Sequence, residues 1–167
     1  MDCTHAQDLV LDELDGALDA AVRHELRRHL LSRFGGGDDD DRLQLALISF
    51  GYRHGVPKHA DIVLDARFLP NPYFDPALKP QSGRDAQVQG FLAGREEYRT
   101  FRAKLLDLLD FLLPAYRREG KSYLTIAIGC TGGRHRSVAL VEDLADELAR
   151  RGSPALKTHR DCDRQGT

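Results

Sequence analysis

The densest chemistry in this chain lies in nine consecutive residues, Gly129-Cys130-Thr131-Gly132-Gly133-Arg134-His135-Arg136-Ser137. They follow an apolar run from Tyr123 to Ile128 and precede a segment with helical spacing that extends to about Arg151. A strand that delivers the chain through glycines to a helix N-terminus leaves main-chain N–H groups unpaired. Those groups carry the positive end of the helix dipole and attract phosphate or carboxylate. Gly132 and Gly133 let a ligand approach the main chain, Arg136 offers two parallel hydrogen bonds to phosphate, and Thr131 and Ser137 add hydroxyls. No Lys-Ser/Thr pair follows the glycines, so the GxxxxGK[ST] loop of triphosphate hydrolysis is disfavoured.

Cys130, five intervening residues, Arg136 and Ser137 also reproduce the Cys-x5-Arg-Ser/Thr spacing of cysteine-dependent phosphatases. There a thiolate attacks phosphorus, the arginine holds the phosphate, and an acid from another loop protonates the leaving oxygen. Asp75 and Asp85 are available, but nothing around either singles it out as the acid, and Gly129 stands where those enzymes usually carry His. A tight turn with a solvated cation is the plain alternative.

Two further clusters end apolar runs: Ser49 to Gly55, which includes His54, and Asp65 to Pro72, which includes Arg67 and Asn71. In a parallel sheet the strand C-termini share one edge, so His54 and the Gly129–Ser137 turn could meet there. Arg67 and Asn71 could lie beside the same anion. Equally, Asp65 and Arg67 could form a structural ion pair, with Pro70 and Pro72 a stiff exit from the sheet. Arg134, Lys157, His159 and Arg160 could extend a basic rim toward RNA phosphates, or simply solvate a surface. With no Trp and 7% aromatic residues, the signal for stacking unpaired bases is weak.

Strands are predicted at Leu43–Phe50, Ile62–Phe68, Tyr123–Ile128 and, as a final edge strand, Leu156–His159. Pro70, Pro72, Pro76 and Pro80 predict an irregular loop over Leu69–Asp85, and long loops of that kind are often functional. Helical spacing dominates from Ala86 to Arg118, with Phe101, Leu105, Leu108, Leu109 and Leu112 on one face before Pro114 perturbs it. The expectation is an α/β domain over 42–160, a small mixed or parallel sheet flanked by helices, followed by a polar tail over 161–167. Upstream, Leu9, Leu11, Leu14, Leu18, Val22, Leu26 and Leu30 predict an amphipathic helix from about Gln7 to Arg33, in an N-terminal helical extension over 1–34. Residues 35–41, Gly35-Gly36-Gly37 and Asp38 to Asp41, read as a solvated linker.

The chain has 167 residues, 41% hydrophobic and 30% charged, which fits one globular domain with an appendage and excludes collagen-like and wholly disordered classes. No run approaches the roughly 20 apolar residues that cross a bilayer, and Met1 to His5 lacks a signal-peptide start, so a cytoplasmic protein without a membrane partner is expected. Cys3, Cys130 and Cys162 show no CxxC spacing, so no metal site, disulfide framework or cofactor is expected. The net charge of −2 hides an asymmetry: 11 acidic and 4 basic residues up to Asp41, against 15 acidic and 20 basic from Arg42 onward. The larger part therefore favours an anionic ligand.

The three clusters, in this order, resemble the C-terminal domain of the RapZ (RNase adapter protein) family from about Leu43 to Arg160. The resemblance implies an α/β domain related to a phosphofructokinase subdomain. It implies binding of an amino-sugar phosphate and of small regulatory RNA presented to an endoribonuclease, and assembly as homo-oligomers, often tetramers. Carried over by position, the ligand residues would be His54, Thr131, Gly132, Gly133, His135 and Arg136, with Arg67 and Asn71 flanking them. Two departures stand out. The family's P-loop half has no counterpart in this sequence, and Asp161 to Thr167 lacks the Lys/Arg run of RNA-binding members. The expected function is a non-catalytic sensor or adapter for a phosphorylated, hexosamine phosphate-like molecule. A Cys130/Arg136 phosphatase and an RNA-binding adapter are the alternatives.

Overall fold

Four strands, all parallel, form the sheet at the centre of residues 43–164, which are the residues described by this computed structural model. The helix and linker expected over residues 1–41 lie outside them. The strands are β1 (Gln44–Gly51), β2 (Ile62–Asp65), β3 (Tyr123–Cys130) and β4 (Ala155–His159), in the order β2-β3-β1-β4. β1 and β3 pair from Gln44↔Tyr123 to Gly51↔Cys130. Their C-terminal halves are buried without alternation, as central parallel strands covered on both faces must be. β2 and β4 are shorter and only partly buried, as edges tend to be.

The helices are α1 (Ala86–Ala93), α2 (Glu96–Arg118) and α3 (Arg136–Arg150). α3 is the most deeply packed, burying Val138, Leu140, Val141, Leu144 and Leu148. These join Leu47, Leu124, Ile126 and Ile128 of the sheet and Leu92, Leu105 and Leu109 of α1 and α2 in one core. Across the α2–α3 contact, the Arg102 guanidinium bridges Asp143 at 2.7 Å and Glu147 at 3.2 Å, and the Tyr98 hydroxyl donates to Asp143 at 3.1 Å.

The sheet is the parallel form of the expected α/β architecture, with differences in detail. β2 stops at Asp65 rather than Phe68, because the Asp65 carboxylate accepts the Arg67 N–H at 2.8 Å and turns the chain out of the sheet. The helical stretch from Ala86 breaks at Gly94-Arg95, where Arg95 is extended; glycine holds a helix about 1 kcal/mol less well than alanine. Pro114 does not end α2, which continues to Arg118. Within the 69–85 loop, Pro72–Phe74 form a single 3-10 turn capped by Asn71, whose Oδ1 accepts the Tyr73 N–H. The packed unit also runs past the expected boundary at Arg160, since Asp161 and Cys162 are fully buried. No helix among the described residues is long and apolar enough to cross a membrane.

Candidate functional site

Parallel pairing carries Gly51, Asp65 and Cys130 to the same edge of the sheet, where Gly51 faces Cys130 and Asp65 faces Gly129. The three clusters of polar residues therefore meet. The turn from Thr131 to His135 then feeds α3, and the Arg53 N–H donates to the Thr131 carbonyl at 3.3 Å, tying the first cluster to the third.

Arg136 opens α3 and is only 5% exposed. Its Nη1 donates to the carbonyls of Arg67 at 2.6 Å and Leu69 at 3.0 Å, so it also ties in the second cluster. Its Nη2 reaches Thr131 Oγ1 at 3.2 Å, and its Nε has no partner. Nε and Nη2 form the guanidinium edge suited to bidentate recognition of carboxylate or phosphate. Arg67 uses that same edge on Asp65, at 2.9 Å from Nε and 2.7 Å from Nη2. Arg136 is thus fixed by one side while the other keeps unfilled capacity.

His135, one residue earlier, is 6% exposed, and its Nε2 also lacks a partner. Burial pushes its imidazole below the usual histidine range; the Arg134 charge acts in the same direction, opposed by nearby main chain at Leu78, Lys79 and Gln81. Leaving a buried polar atom unpaired costs about 1–3 kcal/mol, so two adjacent cases at one helix N-terminus call for an explanation. Cys130, 3% exposed, sits beneath the turn, with the Gly133 N–H donating to Sγ at 3.3 Å and Ser137 Oγ at 3.1 Å from it.

The glycines have a reason the sequence did not show. Gly133 has φ +75°, and a Cβ there would lie 2.6 Å from the Gly51 nitrogen and 2.9 Å from Asp161 Cβ. It is required by contact between turns. At Gly132 a Cβ would instead meet the Arg53 guanidinium at 3.3 Å.

Arg67 pairs with Asp65 and lies over the Tyr52 ring at 4.1 Å; its hydrogen bonds hold the Asp65 carboxyl below the usual range. Asn71 serves as a cap, and His54 is half-buried at the end of the Tyr52–His54 turn. The four candidate rim residues all have internal partners. Arg134 donates to Pro80, Gln81 and Cys162 carbonyls, and Lys157 pairs with Glu142. His159 lies between Ser49 Oγ and Glu142, at 2.8 Å from each. Arg160 pairs with Asp161 and donates to the Gly55 carbonyl.

Two residues were missing from the candidate set. Arg53, exposed beside Gly132, brings a cation to the turn; its place between Gly51 and His54 was the available signal. Asp161 accepts the Gly51 N–H at 2.8 Å, and nothing in the polar sequence around it marked it. Among the described residues no cluster of three His, Cys, Asp or Glu is arranged to hold a metal ion.

The RapZ C-terminal domain description matches residues 43–163. This chain belongs to that family. The RapZ-type match begins one residue before β1 and ends beyond Asp161, so it takes in all three clusters and the buried residues after Arg160. Among curated relatives, a nucleotide-binding protein of Anaeromyxobacter dehalogenans is 50% identical, covering 96% of this chain and 56% of that one. One from Geobacter metallireducens is 51% identical over 84% of this chain and 50% of its own length. One from Granulibacter bethesdensis is 47% identical, at 92% and 46% coverage. The chain therefore spans about half the length of these relatives.

Proposed function

We propose that this RapZ-type domain is a non-catalytic sensor or adapter that binds a phosphorylated small molecule at the Thr131–Arg136 turn. The observation that carries the reading is the pair of buried, unpartnered nitrogens, His135 Nε2 and Arg136 Nε, at the N-terminus of the 15-residue helix α3. Phosphate supplies the acceptor that the Arg136 Nε–H lacks, His135 Nε2 joins it as a donor in the tautomer that carries the proton there, and the helix dipole favours the phosphate charge. Arg53 neutralises it from the solvent side, and the exposed Thr131 hydroxyl turns from Nη2 to the ligand. His54 orients the rest of the molecule. The names of the nucleotide-binding relatives favour a phosphate-bearing ligand, and the family resemblance narrows it to a hexosamine 6-phosphate.

Calorimetric titration with inorganic phosphate and with glucosamine 6-phosphate tests this. Saturable binding, tighter for the sugar phosphate, is expected; no binding of either at millimolar concentration overturns it. RNA presentation is the weaker reading, because Arg134, Lys157, His159 and Arg160 are all engaged within the domain. The contacts of Cys130 with Ser137 and the Gly133 N–H favour one competing reading, a cysteine phosphatase. Turnover of an aryl phosphate that disappears in Cys130→Ser would establish it.

A further inference from the structure

The residues after β4 fold back onto the candidate site. Asp161, fully buried, accepts the Gly51 N–H at 2.8 Å through Oδ2 and ion-pairs with Arg160 at 2.7 Å and Arg164 at 3.2 Å. Its Cβ lies where a side chain on Gly133 would collide, so the carboxylate is wedged between the turns that end β1 and β3. Arg160 extends the same contact, donating to the Gly55 carbonyl at 2.6 Å and lying over the Phe50 ring. From the other side, Arg134 Nη1 donates to the Cys162 carbonyl at 3.2 Å. Burial opposes ionisation of Asp161, yet Arg160, the Gly51 N–H and Arg164 hold its carboxyl below the usual aspartate range.

We infer that Asp161 is a positioning residue for the anion site, and that occupancy of the Thr131–Arg136 turn is thereby coupled to docking of the segment from Arg160 to Arg164. Both the positioning role and the coupling rest on the reading that this turn binds phosphate. An anion at the turn fixes Gly133, and Gly133 fixes the seat of Asp161. Linkage makes the effect reciprocal: phosphate must tighten the docked segment by the factor by which undocking weakens phosphate binding. The main-chain bonds that report docking are Arg160 N–H to the Ser49 carbonyl and Arg164 N–H to the Asp161 carbonyl.

The experiment uses the full chain, wild type and the variants Asp161→Asn and Asp161→Ala, with inorganic phosphate as probe. Phosphate affinity is measured by calorimetry below the melting range of each protein, and amide hydrogen exchange is read at Gly51, Gly133 and residues 160–164. Loss of a charge-assisted bond and of the wedge is expected to weaken phosphate binding about tenfold in Asp161→Ala, and less in Asp161→Asn, which can still accept the Gly51 N–H. In the wild type, saturating phosphate should slow exchange at Arg160 and Arg164 by a comparable factor. A purely structural Asp161 would lower stability yet leave the affinity of the folded variants and the phosphate-dependent exchange unmoved, and that result overturns the inference. If wild type binds no phosphate, the proposed function and this inference fall together; if wild type binds and the variants bind as tightly, the inference alone falls.

Discussion

Arg136 should be a structural clamp as well as a ligand residue, and Arg136→Ala measures the first role. The substitution removes the donors to the Arg67 and Leu69 carbonyls and the contact to Thr131. A hydrogen bond to a charged group contributes about 1.5–3 kcal/mol, and the Leu69 carbonyl lies in a buried contact where water replaces the donor poorly. The Arg67 carbonyl is more accessible and recovers part of its loss by hydration. Removing a buried cation with an unpartnered Nε gives back roughly 1–2 kcal/mol. The net expected destabilisation is about 2–3 kcal/mol, which for a domain of this size lowers Tm by roughly 6–15 °C. Thermal unfolding followed by circular dichroism reads it directly, and Arg136→Lys, which keeps the charge but lacks the fork, should fall between wild type and Arg136→Ala. A Tm for Arg136→Ala within about 2 °C of wild type would refute the clamp.

Arg53→Ala should do the reverse: its guanidinium is exposed, so Tm should stay within about 2 °C of wild type while phosphate binding weakens about tenfold, read by calorimetry. His135 has a lowered pKa in the folded state, so its neutral form contributes stability that is full above the unfolded value of about 6.5 and is lost as pH falls below it. Denaturant midpoints measured from pH 7.5 to 5.5 should therefore fall in wild type and fall less in His135→Gln. Cys130, 3% exposed, should react with a thiol reagent far more slowly in native than in unfolded protein. Aryl phosphate turnover by wild type should not exceed that of Cys130→Ser.

The central strands were legible because Leu43–Phe50 and Tyr123–Ile128 are apolar on both faces, the pattern of a parallel sheet covered on both sides. Once the sheet is parallel, geometry alone gathers His54, Arg67 and Arg136 at one edge, so the location of the candidate site followed from order and strand type. Its internal wiring did not. That Gly133 answers to Gly51 and Asp161 depends on contacts between segments distant in sequence, which no local pattern encodes. The cations of the expected rim were visible as charges, but their partners are carbonyls of Pro80, Gln81 and Cys162 or carboxylates of Glu142 and Asp161. Local chemistry also ended two elements early: the Asp65 carboxylate turns the chain after β2, and Gly94 breaks a helix whose apolar spacing continued. Asp161 looked like the start of a solvated tail because Asp161, Asp163 and Arg164 are all polar; only two ion pairs and one main-chain bond explain its burial.

Phosphate binding at the Thr131–Arg136 turn is tested most directly by a phosphate titration of isotope-labelled protein followed by amide chemical shifts. Saturable shifts are expected that are largest at Thr131 to Ser137, extend to Arg53, and weaken in parallel with calorimetric affinity in Arg53→Ala. Shifts absent at millimolar phosphate, or centred elsewhere on the domain, would contradict it.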